Sequence, residues 1–276
     1  MTDISFAPRK LPVIATFEKT CRAFLKAFGP LVLLMLLLFG VLVAGVAALA
    51  IPVGGLGFLL GKVLGLEPGT IPFNLLMAPV ILVAIGLLVA VSLRFSIAQS
   101  KLADASADGR TLKFMDILRD PRPSLVSYLL VSLVVGILTF LGTILFIIPG
   151  IMIAMALGLA PLAMIFEGKD VGASLQRSRD LTRNNRWRLL GLYLLSALLF
   201  IPASLLTSLP LESDAEFSPI KGLLLILNLV VSILQTIFTV VLTVTIYREL
   251  RALKDGAAAI APLAPDPQTK DDGIPA

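Results

Sequence analysis

The sequence predicts an all-α fold: a polytopic membrane helix bundle of six transmembrane helices, with the N- and C-termini cytoplasmic. Three observations predict it. Of the 276 residues 57% are apolar and the mean hydropathy is +0.97, whereas soluble domains sit near about 45–50% apolar. The apolar residues fall in uncharged runs of roughly 20, the length a helix needs to cross a hydrocarbon core of ~30 Å. Lysine and arginine crowd into alternate connecting segments, as the positive-inside rule requires of inner loops.

Two absences bound the chemistry. There is no histidine, which excludes histidine acid–base catalysis, histidine metal sites and histidine pH sensing. There is one cysteine, Cys21, so neither an intrachain disulfide nor a cysteine metal cluster can form. Cys21 reads as a small apolar residue on a buried face, with acylation as the alternative.

Residues 1–28 read as a basic amphipathic segment. From Val13, the apolar Val13, Ile14, Phe17, Cys21, Phe24, Leu25 and Phe28 fall opposite Glu18, Lys19, Arg22 and Lys26, at helical steps of three and four. Such a helix lies in the headgroup plane or packs on the protein's own helices. Residues 29–250 hold the six spans, the first over Pro30–Ile51. Ala48-Leu49-Ala50 resembles a signal-peptidase site, but the apolar run exceeds the ~7–15 residues of a signal peptide, so a retained helix is expected. Between Pro52 and Pro68, Gly54, Gly55, Gly57, Gly61 and Gly65 predict a flexible or re-entrant turn. A close helix-packing face at Gly57, Gly61 and Gly65 is the alternative.

The second span covers Ile71–Ala98, with Arg94 near its end, where a long side chain reaches the headgroups. The third and fourth form a hairpin, Leu125–Ile148 and Ile151–Phe166, with the break placed at Pro149-Gly150 because proline removes a donor and disfavours helix before it. The fifth is Leu189–Leu209 and the sixth Lys221–Tyr247. Residues 251–276 turn to alanine, proline and aspartate and are expected to be a disordered tail.

The basic residues lie before the first span (Arg9, Lys10, Lys19, Arg22, Lys26), between the second and third (Lys101, Arg110, Lys113, Arg119, Arg122), between the fourth and fifth (Lys169, Arg177, Arg179, Arg183, Arg186, Arg188) and after the sixth. The other side carries Lys62, Lys221, Glu212, Asp214 and Glu216. Span count and charge bias therefore agree. A basic segment precedes each pair of spans, and residues 15–20 parallel residues 173–178 in type. Three surface-helix-plus-hairpin repeats are a candidate architecture, the middle one opening with Leu112, Met115 and Leu118.

The stretch with Pro149-Gly150, Pro161, Glu167-Gly168, Ala173, Arg177-Ser178 and Arg186-Trp187-Arg188, followed by Tyr247-Arg248-Glu249-Leu250-Arg251, resembles the glycerophosphoryl diester phosphodiesterase membrane-domain family of bacterial inner membranes. The resemblance covers the second half of the chain well and the first only in layout. It implies residence in the bacterial inner membrane and six helices. In the full-length enzymes of that family it implies catalysis by a separate soluble domain with histidines and carboxylates around a metal. With no histidine here, it does not imply phosphodiesterase activity.

The 167–188 segment carries the candidate site. Asp170 can cap a helix whose far end gathers Arg179, Arg183 and Arg186, which suits the helix dipole. Arg177, Arg179, Arg183, Arg186 and Trp187 are the candidate lipid- or partner-binding residues, with Arg177 and Arg179 suited to a phosphate by their forked geometry. The competing reading, a transporter or channel for a small or lipid-like substrate, rests on the intramembrane polar residues Asn74, Asn228 and Gln235, the last two sharing a helix face. No catalytic residue, metal site or cofactor is expected. The expected partners are membrane lipids, anionic ones included, with a homo-oligomer or membrane-protein partner open and nucleic acid excluded. The expected function is a non-catalytic membrane protein that organises lipids or partners at the cytoplasmic leaflet.

Overall fold

A computed structural model of the chain describes residues 10–65, 70–110, 117, 120, 123–207 and 219–256. The elements are α1 (Val13–Leu64), α2 (Ile71–Ala107), α3 (Leu125–Leu145), α4 (Ile147–Leu157), α5 (Ala160–Glu167), α6 (Val171–Thr182), α7 (Arg186–Thr207) and α8 (Pro219–Asp255). The fold is all-α. Six stretches are long and apolar enough to cross a membrane: Val13–Ala48, Met77–Ala107, Leu125–Leu145, Ile147–Glu167, Arg186–Leu205 and Gly222–Asp255. This is an integral membrane protein by composition and helix length. The chain forms two compact units, one of Leu33–Ile97 and one of Met1–Val32 with Ala98–Ala276.

The smaller unit contains the later part of α1 and the earlier part of α2. Most of its exposed side chains are aliphatic or aromatic, among them Phe39, Val43, Leu82 and Val83, a surface that water would reject and hydrocarbon accepts. The turn expected from Pro52 is absent over residues 52–64, which continue as helix. In hydrocarbon the backbone has no partner but itself, so the intrahelical bonds outweigh the low helix preference of glycine. A Cβ added at Gly54 or Gly55 would meet nothing within 4 Å, so these two pack against no neighbour among the described residues. The helix ends at Gly65, whose φ of +64° favours glycine.

The larger unit begins with the first part of α1. The expected separate surface helix over residues 13–28 is continuous with the first span. Its buried stripe is Thr16, Thr20, Ala23, Ala27 and Leu31, while Ile14 is 83% and Leu25 76% exposed. Small residues let the helix approach closely, and the threonine hydroxyls donate to Pro12 O and Thr16 O instead of needing outside partners. Phe17 and Phe24 still pack, both against Phe238 of α8, at 5.8 and 5.5 Å between ring centroids.

In the α3–α4 hairpin the chain breaks earlier than expected. Phe146 is extended (φ −160°, ψ 143°) between the helices, and Pro149-Gly150 lies in the first turn of α4. Proline is tolerated there because the first N–H groups of a helix have no intrahelical acceptor. Gly150 serves packing: a Cβ there would stand 2.6 Å from the Thr143 backbone nitrogen. The fourth span is itself two helices, α4 and α5, separated at Gly158-Leu159, with Pro161 near the start of α5.

The second span also runs further than expected. α2 continues to Ala107, and from Ile97 to Ser106 its residues are buried, including Gln99, Ser100, Lys101 and Asp104. α8 extends to Asp255, so residues 251–255, expected in the tail, are helical. At ~1.5 Å per residue the 37 residues of α8 span ~56 Å, well beyond the hydrocarbon core. Of the three surface segments expected, the one over residues 171–182 stands as a separate helix, α6; Leu112, Met115 and Leu118 lie outside the described residues.

Candidate functional site

The polar end of the larger unit is organised around two carboxylates. Glu167 closes α5, and Gly168 at φ +63° turns the chain into α6, whose first turn is capped by Asp170 accepting from Ala173 N at 2.8 Å. Arg177, two turns along α6, donates through Nε to Glu167 Oε1 at 3.0 Å. Its terminal nitrogens reach both oxygens of Asp255 on α8. Tyr247 donates to the same Glu167 oxygen at 2.5 Å. Lys169 stands 3.6 Å from Glu167, and Arg251 lies 4.0 Å from Glu167 and 3.8 Å from Asp255. Burial works against the Arg177 charge, but the paired carboxylates outweigh it and hold its pKa above the ordinary guanidinium value.

The second carboxylate, Asp104, is fully buried. Arg248 Nη1 donates to it at 3.2 Å and Arg110 Nη2 at 3.3 Å. Both arginines also reach Asp108, Arg248 at 2.5 Å and Arg110 at 3.3 Å. Lys101 pairs with Asp120 at 2.6 Å and Lys19 with Glu249 at 2.7 Å. Of the arginines that the sequence assigns to lipid, Arg177 is thus neutralised inside the protein, as are Lys19, Lys101, Arg110 and Arg248 of the basic segments.

The α6–α7 corner is different. α6 seats on the broken end of α4: Ser178 Oγ and Thr182 Oγ1 donate to Ala156 O at 2.8 and 3.3 Å. This carbonyl is among the last of its helix, where intrahelical donors run out. Asn184 then takes φ +71°, and buried Asn185 accepts from Leu11 N at 3.0 Å while Arg188 donates to Leu11 O at 2.6 Å. Beside this corner lies a cavity of about 360 Å³, walled by Leu138, Met152, Ile153, Ala156 and Leu157 and flanked by Arg179 and Arg186. Among the described residues, Arg179, Arg183 and Arg186 enter no ion pair, and Arg186 Nε is buried without a hydrogen-bond partner.

Residues 124–250 match a Domain of unknown function (DUF7847). No curated protein and no solved structure matches the chain. The matched DUF7847 stretch holds Glu167, Arg177, Tyr247, Arg248, the corner arginines and the whole cavity; Asp104, Arg251 and Asp255 lie outside it.

The residues anticipated from sequence therefore divide. Arg177 does not face outward; its donors are engaged by Glu167 and Asp255, partners 10 and 78 residues away. Arg179 and Arg186 meet at the cavity, Arg183 is the exposed C-cap of α6, and Trp187 is 68% exposed. Asn228 and Gln235 are exposed on α8, and Asn74 is exposed in the smaller unit. Sequence reasoning missed Glu167, Asp104, Tyr247 and Asp255 as hubs. The available signal was charge and a tyrosine hydroxyl at span ends, on helices too long for the bilayer alone. Among the described residues no three metal-ligating carboxylates or thiols converge.

Proposed function

We propose that the protein is a non-catalytic integral membrane protein of the bacterial inner membrane that engages anionic lipids at the cytoplasmic leaflet through its α6–α7 corner. One contrast carries the reading. Arg110, Arg177 and Arg248 are consumed by internal carboxylates, whereas Arg179, Arg183 and Arg186 enter no such pair among the described residues and stand beside exposed Trp187. Arginines at headgroup level each add about 1 kcal/mol toward an anionic surface, and an exposed tryptophan suits the interface. The charge bias supports cytoplasmic placement of this corner. The resemblance to the phosphodiesterase membrane-domain family supports inner-membrane residence without phosphodiester chemistry.

The test is the lipid that co-purifies when the protein is excised from its membrane in polymer discs. Enrichment of anionic over zwitterionic lipid relative to the bulk membrane is expected, and the combined change Arg179→Gln, Arg183→Gln, Arg186→Gln should abolish it. Equal lipid composition around wild type and variant would refute the proposal.

A further inference from the structure

We infer that the cavity beside the α6–α7 corner is a discrete binding site for one anionic phospholipid, its phosphate held by Arg179 and Arg186 and the start of one acyl chain lying against Leu138, Met152 and Ile153. The inference rests on the lipid reading above and sharpens it from a charged surface to a single site with a fixed occupant.

The chemistry of the lining selects an amphiphile. Five of the seven lining residues are apolar and two are arginines, so neither a free anion nor a neutral hydrocarbon uses the whole surface. Arginine presents a planar fork that matches a phosphate with two parallel hydrogen bonds. Arg186 Nε, buried and without a partner among the described residues, is a donor in need of an acceptor. The site also straddles a boundary. Leu138, Met152 and Ile153 belong to candidate spans, whereas Arg179 sits on α6 between spans and Arg186 is the first residue of the next one. An acyl chain and its headgroup divide along the same line. Volume limits the occupant further. A cavity of about 360 Å³ is at the small end of ligand sites, so it admits the headgroup and the first carbons of one chain while the remainder stays in the bilayer.

Binding at a site differs from a diffuse field in which arginines matter. Arg183 is on the same corner but does not line the cavity. The experiment is a titration of the detergent-solubilised full chain with a diacyl phosphatidylglycerol, followed by native mass spectrometry, with phosphatidylcholine and inorganic phosphate as comparison ligands. The expected result is one tight phosphatidylglycerol per chain. Arg179→Gln and Arg186→Gln should each weaken it about five-fold, the factor that corresponds to one headgroup-level charge. Arg183→Gln, on the corner but outside the cavity, should weaken it less than either, and Met152→Trp, which fills the cavity, should abolish it. Leu138→Trp repeats the filling from α3, where the native side chain is 38% exposed, and the thermal midpoint of each variant shows that it is folded. Loss on Arg183→Gln equal to that on Arg186→Gln, or full binding by both folded tryptophan variants, overturns the site while leaving the charged-surface reading intact. Inorganic phosphate binding as tightly as the lipid overturns the acyl-chain assignment. No preference of wild type for phosphatidylglycerol over phosphatidylcholine sinks both readings together.

Discussion

The Tyr247 hydroxyl donates to Glu167 Oε1 at 2.5 Å, and the Phe166 and Tyr247 rings lie 5.9 Å apart between centroids. That contact joins the last span to the end of the fourth, and Arg177 joins α6 to the same oxygen. A hydrogen bond to a charged acceptor contributes about 1.5–3 kcal/mol. Tyr247→Phe should cost an amount in this range, and Glu167→Ala more, because it leaves Tyr247 unpaired and Arg177 with Asp255 alone. Thermal unfolding in detergent measures both. Equal midpoints for wild type and Glu167→Ala would show that the hub holds nothing together. Since the Arg177 pKa lies above the ordinary guanidinium value, its contribution is present below that range and is lost only at still more alkaline pH; it should be constant through neutral pH.

Asp104 offers a harsher test. Removing a fully buried carboxylate that faces Arg110 and Arg248 leaves both arginines to share Asp108, and breaking a buried pair from one side costs up to about 3–5 kcal/mol. Asp104→Ala should therefore lower the folded yield sharply. Retention of the wild-type midpoint by this variant would contradict the arrangement.

Gly150 and Gly136 form a matched pair on the α3–α4 hairpin. A Cβ at Gly150 would stand 2.6 Å from backbone of Thr143, whereas one at Gly136 would meet nothing within 4 Å. Gly150→Ala should cost about 1–3 kcal/mol through overpacking, and Gly136→Ala should gain a few tenths to about 1 kcal/mol through helix preference. Thr143→Ala should not rescue Gly150→Ala, because the clash involves Thr143 backbone as well as its hydroxyl. Parallel unfolding curves of the three variants decide this.

Leu11 is held at both its amide and its carbonyl, by Asn185 and Arg188. Asn185→Ala removes the acceptor for a buried N–H, a loss of about 1–3 kcal/mol locally. It should expose the chain around Lys10 to trypsin at protease levels that spare wild type. Identical cleavage patterns would show that the clamp is dispensable.

These contacts mark where the sequence was legible and where it was not. The six spans follow from apolar run length, a property of single residues summed locally, and the Asp170 cap follows from a polar residue before a helical pattern. The break at Pro149-Gly150 was misplaced because proline ends a helix from its interior but starts one from its first turn, and composition does not separate the two. The polar run from Gln99 to Ser106 reads as a loop by hydropathy, yet it is buried because Arg248 and Arg110 supply its charge partner. Arg177 reads as free because one of its partners, Asp255, is 78 residues distant. Local pattern carries span count; pairings made across the chain decide which arginines are left for a ligand.

The lipid account requires the α6–α7 corner to face the cytoplasm, and one measurement tests this directly. Gln176→Cys in a Cys21→Ser background places a single thiol at an exposed position of α6. A membrane-impermeant maleimide should label it in inside-out vesicles and leave it unlabelled in right-side-out vesicles. Labelling in right-side-out vesicles alone would put Arg179, Arg183 and Arg186 at the opposite leaflet and contradict the account.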